Sequence, residues 1–382
     1  MLDGPLAART DPTVQYVISE AFPVILSIAA GAFPAVTWVF RRGQRTEGVM
    51  AVTHRKRRHR RVGLVLGAGG VLGAAWMAGA LRPVQERIGR PLHEVELIVG
   101  TSAGGVLASV LRCGVGVDDI VAHQRGDGPP ILPHLAELDE ESGALPPMPR
   151  LRLGSPRLLA SSVRAPHRVH PWVAASALLP EGRGRHHALS RLIQALVKHS
   201  HDHLDPVDPP WPRRPTWIMA VDYQSGRRIG FGRPGSPWVS LPDAVVASCS
   251  IPGWYQPKVI GERRYVDGGV RSSTSLDLLV RADLDDVYVL APMASYAPDA
   301  PRHPALRAER FVRQLITRAM AREVSAVRAS GATVTVITPG PEDLAAMGHN
   351  LMDHGRRRRV LEQSLVTSQA RLRSHDGGGW AA

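Results

Sequence analysis

The residue with the clearest chemical potential in this sequence is Ser102, at the centre of residues 100–104 (GTSAG). An apolar run at 97–99 (LIV) precedes it directly and predicts a strand. A strand that enters Gly-x-Ser-x-Gly and continues as a helix forces the serine onto a sharp turn, so its hydroxyl projects from the end of the sheet. The spacing therefore indicates a nucleophilic serine.

A glycine-rich loop lies upstream, between a predicted strand at 62–66 and a predicted helix. Its glycines are Gly67, Gly69, Gly70 and Gly73. Such a loop turns several backbone N–H groups toward one point at a helix N-terminus, where negative charge is favoured. A serine that attacks a carbonyl needs donors of this kind for the oxyanion that it creates. Together the two segments predict a nucleophile and its oxyanion hole.

The same glycine loop also fits a dinucleotide-binding turn. That interpretation requires an acidic residue at the end of the next strand, where it would hold a ribose hydroxyl. Here the strand predicted at 96–99 runs into Gly100 and the serine turn instead. A nicotinamide- or flavin-binding enzyme is therefore the weaker alternative, and we expect no cofactor.

Two later segments complete an ordered set of motifs. Residues 247–253 read ASCSIPG, and residues 267–269 read DGG after 264–266 (RYV). In this order the four motifs resemble the patatin-like phospholipase family between about residues 62 and 270, and the similarity continues to about residue 340. The resemblance implies an α/β fold, a three-layer α/β/α sandwich with a central, mostly parallel sheet and a lid or cap insertion.

The resemblance also implies roles for individual residues. Patatin-like enzymes use a Ser-Asp dyad, which makes Ser102 the nucleophile and Asp267 the base. A carboxylate with a pKa near 4 is a poor base, so partial burial must tune Asp267. Most members carry a basic residue in the glycine loop where this chain has Leu72, which leaves the oxyanion to backbone N–H groups. The glycines implied are Gly67, Gly69, Gly70 and Gly73 for the oxyanion hole, and Gly100, Gly104, Gly268 and Gly269 as support for the turns.

The residues themselves leave a second base open. A Ser-His-Asp triad would place a histidine between the serine and a carboxylate. His303, His349 and His354 follow in the order Ser, Asp, His, but none of them lies in a recognisable turn motif. The dyad is therefore the first hypothesis and the triad the second.

Alternating short apolar runs and helical stretches predict an α/β sheet. Pro83 predicts a kink or an early end of the first helix. Cys113 and Cys249 are expected to be buried thiols, and only two cysteines are consistent with a reducing compartment. Strands are predicted near 62–66, 96–100, 216–221, 228–232, 285–290 and 333–338, and helices near 73–89, 103–112, 243–249, 305–328 and 356–372.

Composition shifts along the chain predict its domain organisation. We expect an N-terminal segment over 1–49, a basic linker over 50–61, a catalytic domain over 62–345 and a C-terminal helix and tail over 346–382. Residues 127–215 carry clustered proline, glycine and arginine around one predicted helix at 188–198, which is typical of a lid or cap. The histidines at 199–203 (HSHDH) lack strand or helix context, so we interpret them as a solvated loop and expect no metal.

The formal net charge is +13 over 382 residues. It is concentrated at 55–61, where all residues but one are arginine or lysine, and at 356–359 (RRRR). Nucleic-acid-binding modules interleave aromatic residues with basic ones, whereas aromatics make up 5% of this chain and are absent from both runs. An anionic membrane surface is therefore the favoured partner, and nucleic acid is not expected.

Residues 21–40 carry no charge and are long enough to span a bilayer. The arginines that follow at 41, 42 and 45 would leave the rest of the chain in the cytoplasm. Pro23 and Pro34 weaken a span, and an interfacial helix or a true start at Met50 are equal alternatives. The expected location is cytoplasmic and membrane-associated, with a single pass through 21–40 as one option.

These observations predict a serine acyl-ester hydrolase of the phospholipase A type, with a membrane lipid or another acyl-ester lipid as substrate. Its role would lie in lipid catabolism or membrane remodelling. The alternatives are a catalytically silent, membrane-associated protein with the same fold, and the dinucleotide-binding enzyme.

Overall fold

The computed structural model describes residues 60–128, 145–297 and 299–375, together with positions 132 and 143. The segment 21–40, most of the basic run at 55–61 and part of the predicted cap lie outside the described residues. The described residues from Arg61 onward form one compact unit. Among the described helices, none has both the length and the apolar character needed to cross a membrane.

The described residues form twelve strands and ten α-helices. The strands are β1 (Val62–Leu66), β2 (Leu97–Thr101), β3 (Arg150–Leu153), β4 (Pro180–Glu181), β5 (Leu204–Asp205), β6 (Trp211–Pro212), β7 (Thr216–Asp222), β8 (Arg228–Phe231), β9 (Lys258–Ile260), β10 (Arg263–Asp267), β11 (Asp286–Leu290) and β12 (Thr333–Ile337). The helices are α1 (Gly70–Ile88), α2 (Ala103–Arg112), α3 (Val117–Arg125), α4 (Pro156–Arg164), α5 (Pro171–Ser176), α6 (His187–His199), α7 (Leu241–Cys249), α8 (Pro304–Ala329), α9 (Pro341–Met347) and α10 (Arg357–His375).

The central sheet of the described residues runs in the order β12-β11-β1-β2-β7-β10-β9, with β8 also paired to β7. From β12 to β7 each strand is parallel to its neighbour. β8, β9 and β10 pair antiparallel. The predicted α/β fold with a mostly parallel sheet is thus confirmed.

Side chains of the central strands alternate between two cores. Leu64 and Leu66 of β1 pack into a cluster with residues of α1, α2, α6, α7 and α10. Val65, between them, packs on the other face with Met320 and Val324 of α8. Because both faces are covered by helices, the strands are apolar throughout, as buried parallel strands are. The layers are therefore helix, sheet and helix.

The predicted elements occur within three residues of their expected ends. The first helix differs in one respect, because α1 continues through Pro83 to Ile88 instead of ending early. A proline inside a helix costs about 3 kcal/mol. Leu81 and Val84 on either side of it are fully buried. Tertiary packing therefore outweighs the local preference.

The C-terminal helix α10 packs along α1 and belongs to the same unit as the catalytic motifs. The Ser364 hydroxyl donates to the Trp76 carbonyl at 2.6 Å. Gly79 permits this approach, because a Cβ there would lie 2.8 Å from that of Ser364. The predicted boundary at 345 therefore falls inside one packed body.

The helix predicted at 188–198 within the cap segment is also part of the core. Its observed counterpart is α6, and its residues Leu192, Ile193 and Leu196 lie in the main cluster. We therefore confine the proposed cap to the residues that precede α6.

The basic run at 356–359 is not one uniform solvated face. Arg356 forms an ion pair with Asp353 at 3.2 Å, and Arg357 is buried. Arg358 and Arg359 are exposed. Because the run opens α10, its side chains point in different directions around the helix.

Gly104, in the first turn of α2, lies where the helix after the serine turn packs closely against β1. A Cβ at this position would overlap the carbonyl oxygen of Leu66, in the backbone of β1. We expect Gly104→Ala to lower the free energy of unfolding by more than about 3 kcal/mol, because a strand backbone cannot move aside. Urea unfolding followed by circular dichroism measures this.

Gly105→Ala is the matched control in the same helix. Its Cβ would meet nothing closer than the Ser248 hydroxyl at 3.2 Å. The change should stay within about 1 kcal/mol, since alanine also favours the helix. Equal effects of the two substitutions would contradict the close approach of α2 to β1.

Candidate active site

Ser102 lies in the sharp turn between β2 and α2 and is 5% exposed. Its φ of 54° and ψ of −121° are unusual for a residue with a side chain. A conformation of this kind costs about 1–3 kcal/mol. The strain is held in place because the Ser102 N–H donates to the Ser248 hydroxyl at 2.8 Å, and this hydroxyl donates to the Met219 carbonyl at 2.6 Å.

The pairing of β7 brings Ser102 and Asp267 together. β7 pairs with β8 along 218–221, with β2 along 216–219 and with β10 along 220–222. Residues of β7 that pair with β8 also pair with β2 or with β10, and a strand has only two edges. β8 therefore lies on one edge of β7, and β2 and β10 both lie on the other edge. Thr101 is opposite Met219, and Asp267 is opposite the next residue, Ala220. The chain therefore leaves β2 for the Ser102 turn at the point where β10, which carries Asp267, becomes the neighbour of β7.

Asp267 is a buried carboxylate with defined partners. It is 5% exposed and accepts a hydrogen bond from the Gly269 N–H at 2.7 Å. Its own N–H donates to the Ser250 carbonyl at 3.0 Å. Burial raises the pKa of Asp267 to about 6, although the Ser102 side chain and the Gly269 N–H act in the opposite direction. The carboxylate is thus poised to accept a proton near neutral pH.

Segment 247–253 supports the backbone of Ser102 and Asp267. The Ser248 hydroxyl accepts from the Ser102 N–H, and the Ser250 carbonyl accepts from the Asp267 N–H. Burial together with the Asp267 charge raises the pKa of the Cys249 thiol, which lies between these two serines in sequence. Cys249 is therefore a neutral thiol beside Ser102 and Asp267. The sequence predicted its burial, which is confirmed together with that of Cys113, but not this position.

The four predicted oxyanion glycines divide into two pairs. The N–H of Gly67 donates to the Leu290 carbonyl at 2.9 Å, and that of Gly73 donates to the Gly69 carbonyl at 2.8 Å. These two groups hold the loop and are not available to an oxyanion. The N–H groups of Gly69 and Gly70 have no acceptor among the described residues. They are the remaining candidates for the oxyanion hole.

The glycine loop lies against the other two motifs. The carbonyl of Leu66, at its start, touches Gly104, and a Cβ on Gly269 would lie 3.2 Å from that of Ala68. Leu72, where the family pattern has a basic residue, is fully buried in the core, and its N–H donates to the Leu351 carbonyl at 2.9 Å. Position 72 therefore contributes no charge to the site.

A half-buried glutamate on α8, Glu323, fixes the loop that follows Asp267. Glu323 accepts from the hydroxyls of Ser272 and Thr274 at 2.6 and 2.8 Å and from the Leu276 N–H at 2.9 Å. In the same loop the Ser273 carbonyl accepts from the Ala68 N–H at 2.8 Å. Glu323 thus connects the base loop to the glycine loop. No motif signals it, because an acidic residue on a polar helix is normally a solvated one.

The three histidines of the alternative triad are not among the described hydrogen-bond partners of Ser102 or Asp267. His303 and His349 are exposed. The histidine that does reach this region is His186, whose ring nitrogen Nε2 donates to the Cys249 carbonyl at 3.0 Å. Burial lowers the pKa of His186 to about 4, and its ring stacks on Tyr255 at 3.8 Å. It supports the backbone rather than the serine hydroxyl.

The histidines at 199–203 lie apart from this site. His201–His203 form a single 3₁₀ turn after α6. Within the described ranges, no group of three or more His, Cys, Asp or Glu side chains is arranged to hold a metal ion.

Comparison of the sequence with models of known protein families gives one match. The model of the patatin-like phospholipase family matches residues 186–280. This stretch contains the ASCSIPG segment and Asp267, but not Ser102 or the glycine loop. The resemblance indicated by the motifs is confirmed, and it supports hydrolase activity on lipid esters in general. A search of curated proteins finds no match.

Two solved structures are similar at a remote level. VipD from Legionella pneumophila shares 15% identity with a TM-score of 0.39, over 83% of this chain and 67% of that one. The type III effector protein ExoU shares 14% identity with a TM-score of 0.34, over 83% and 53%. The chain thus spans about half the length of ExoU, and we draw no functional conclusion from either likeness.

The raised pKa of Asp267 predicts a cost in stability. Its folded value of about 6 lies above the ordinary value of 3.8, so the unfolded chain releases the proton first as pH rises. The stability that protonated Asp267 contributes is complete below pH 4 and is therefore lost progressively up to about pH 6. The amide introduced by Asp267→Asn does not titrate. Between pH 5 and 8, the unfolding free energy of this variant should rise relative to wild type by about 1 kcal/mol.

Urea unfolding of both proteins at the two pH values measures this shift. Asp202→Asn, at an exposed carboxylate, is the control and should leave the difference between pH 5 and 8 unchanged. A constant gap between Asp267→Asn and wild type would show that Asp267 is not destabilised by burial.

Proposed function

We propose that this chain, which matches the patatin-like phospholipase family over residues 186–280, is a serine acyl-ester hydrolase of the phospholipase A type that acts on lipids. The observation that carries the proposal is that the strained turn at Ser102 and the buried Asp267 carboxylate meet where β2 and β10 follow each other along β7, and that the Ser102 side chain acts on the pKa of Asp267. A serine in a strained turn with a carboxylate as its direct partner has the parts of a nucleophile and its base.

The proposed reaction proceeds in two steps. Asp267 removes the proton of the Ser102 hydroxyl while Oγ attacks the ester carbonyl carbon, and the carbonyl oxygen becomes an oxyanion. The N–H groups of Gly69 and Gly70 stabilise that charge, as oxyanion-hole donors do. The carbonyl re-forms, the alcohol leaves with the proton held by Asp267, and Ser102 stays acylated. Water, deprotonated by Asp267, then releases the fatty acid and restores the serine.

A base works best when its pKa lies near the working pH. Burial raises the pKa of Asp267 to about 6, which suits proton transfer at neutral pH better than the ordinary 3.8. This property favours the dyad over the triad, which would need a histidine in contact with Ser102. It also favours an active enzyme over a silent protein with this fold, since burying an unused carboxylate at this cost would have no benefit.

The first test is labelling with a fluorophosphonate and hydrolysis of 4-nitrophenyl butyrate. Ser102→Ala and Asp267→Asn should each lower kcat by roughly 10³-fold or more, because the two act as one unit. The wild-type rate should rise with pH to a plateau, with its midpoint near pH 6, since only the ionised carboxylate accepts a proton. Labelling should be lost in Ser102→Ala.

His303→Gln, His349→Gln and His354→Gln are the controls and should keep close to the full rate. A collapse of the rate in one of them, with a mild effect of Asp267→Asn, would replace the dyad by a triad. Failure of wild type to label at any pH would instead favour the silent protein.

We further propose that an anionic membrane is the surface on which the enzyme works. The arginine and lysine residues at 41–61 support this, because each basic residue near such a surface contributes about 1 kcal/mol. A chain that begins at Met50 should bind phosphatidylglycerol vesicles at low salt and be released at high salt. The full-length chain should stay bound at high salt if residues 21–40 enter the hydrocarbon.

Vesicle flotation of both chains at the two salt concentrations measures this, with phosphatidylcholine vesicles as the uncharged control. Equal release of both chains by salt would exclude insertion of 21–40. Absence of binding by the shorter chain would exclude the membrane role of the basic run.

A further inference from the structure

Three basic side chains lie together beside the loop that carries Asp267. They are Arg271, His170 and Arg228, from three different parts of the sequence. Arg271 directly follows the 3₁₀ turn Gly268–Val270, and its N–H donates to the Gly268 carbonyl at 3.0 Å. His170 precedes α5, which packs against that turn. The cluster is therefore one turn of chain away from the proposed base.

Arg271 is half-buried, and its guanidinium has no hydrogen bond or ion pair with any described residue. Its neighbour Arg228 differs, because it forms a bidentate pair with Asp277 at 2.8 and 2.6 Å. A guanidinium withdrawn from water without a partner is costly. Burial and the charge of Arg228 accordingly lower the pKa of Arg271. Arg271 thus offers several unused donors.

His170 offers a second unused polar atom at the same place. Its Nδ1 is buried and has no hydrogen-bond partner among the described residues. Burial, with the positive charges of Arg271 and Arg228, lowers the pKa of His170 to about 4. His170 directly precedes α5, which packs against the 3₁₀ turn that Arg271 directly follows, so the two residues start from neighbouring backbone. At neutral pH the ring is uncharged and can donate one hydrogen bond from Nδ1.

The nearby carboxylates do not fill this role. Asp277 and Glu323 both act on the pKa of Arg271, so both are close. Asp277 is engaged by Arg228, and Glu323 accepts from the loop at 272–276. An external anion would therefore meet two unsatisfied donor groups, with Arg228 adding positive charge behind them.

We propose that Arg271 and His170 form a binding subsite for a phosphate group beside the Ser102–Asp267 pair. A planar guanidinium fork matches two phosphate oxygens, and its hydrogen bonds to such an anion are among the strong ones. The phosphate can come from the head group of a lipid substrate, which rests on the function proposed above, or from free phosphate. Either source would satisfy the donors that the folded chain leaves unpaired.

The lipid source is tested with two substrates that have the same acyl chains. Dihexanoyl phosphatidylcholine carries a phosphate and dihexanoylglycerol does not. Arg271→Gln should lower the ratio of their kcat/KM values by about tenfold or more, as loss of a charge-assisted hydrogen bond would. Arg227→Gln, at an exposed arginine that precedes Arg228, makes the same change of charge and should keep the wild-type ratio.

The subsite itself is tested without catalysis. Inorganic phosphate is titrated into the Ser102→Ala protein by calorimetry, and then into the same protein with Arg271→Gln or His170→Ala added. Each added substitution should weaken phosphate binding, and Arg271→Gln should do so by about tenfold or more. Weakened binding with an unchanged substrate ratio would assign the subsite to free phosphate.

Unchanged phosphate binding together with an unchanged substrate ratio would overturn the proposal. So would an equal loss of activity on both substrates without an effect on phosphate binding, because Arg271 would then only support the fold. If wild type hydrolyses neither substrate, the proposed hydrolase function fails, whereas the calorimetric titration still decides the subsite.

Discussion

The site depends on how two strands divide one edge of β7. β2 occupies that edge as far as Met219, and β10 continues it from Ala220 in the opposite direction. β2 ends partway along this edge, and its chain leaves the sheet in the turn at Ser102. β10 ends at the same point of β7 and places Asp267 beside that turn. The Met219 carbonyl at this junction accepts from the Ser248 hydroxyl, which in turn holds the Ser102 backbone.

Burial then gives the pair its chemistry. Ser102 and Asp267 are each 5% exposed, so the interaction between their side chains lies where water competes little. The same burial raises the pKa of Asp267 and reduces the stability of the fold at neutral pH. If Asp267 acts as the proposed base, the burial that suits it to that role also costs the fold stability. The Glu323 network, the Ser248 hydroxyl and the Ser250 carbonyl hold the backbone around it.

Periodicity and glycine spacing are local signals, so the sequence predicted an α/β sheet, the bounds of the main strands and helices, and Ser102 as a candidate. The mostly parallel arrangement of the sheet and the role of Asp267 came from the resemblance to the patatin-like family. The sequence did not predict that β2 and β10 share one edge of β7, since register depends on contacts between residues far apart in sequence, such as Thr101 with Met219 and Asp267 with Ala220. It also could not separate Gly69 and Gly70 from Gly67 and Gly73, because carbonyls that occupy an N–H are visible only in the folded chain. The sequence also did not identify Glu323 or Arg271 as functional candidates, because a charged residue in a polar stretch gives no local sign that the fold will shield it from water.

The hydrogen bond from the Leu72 N–H to the Leu351 carbonyl affects how early in synthesis of the chain the site can form. The glycine loop opens α1, yet it is closed by a residue almost three hundred positions later and braced by α10 beyond that. β1 itself acquires its second neighbour only with β11. On a ribosome, which delivers the chain from its N-terminus, Ser102 and the glycine loop emerge early but cannot assemble until β11, Leu351 and α10 have been made. A site arranged in this way stays incomplete until those late elements have packed against it.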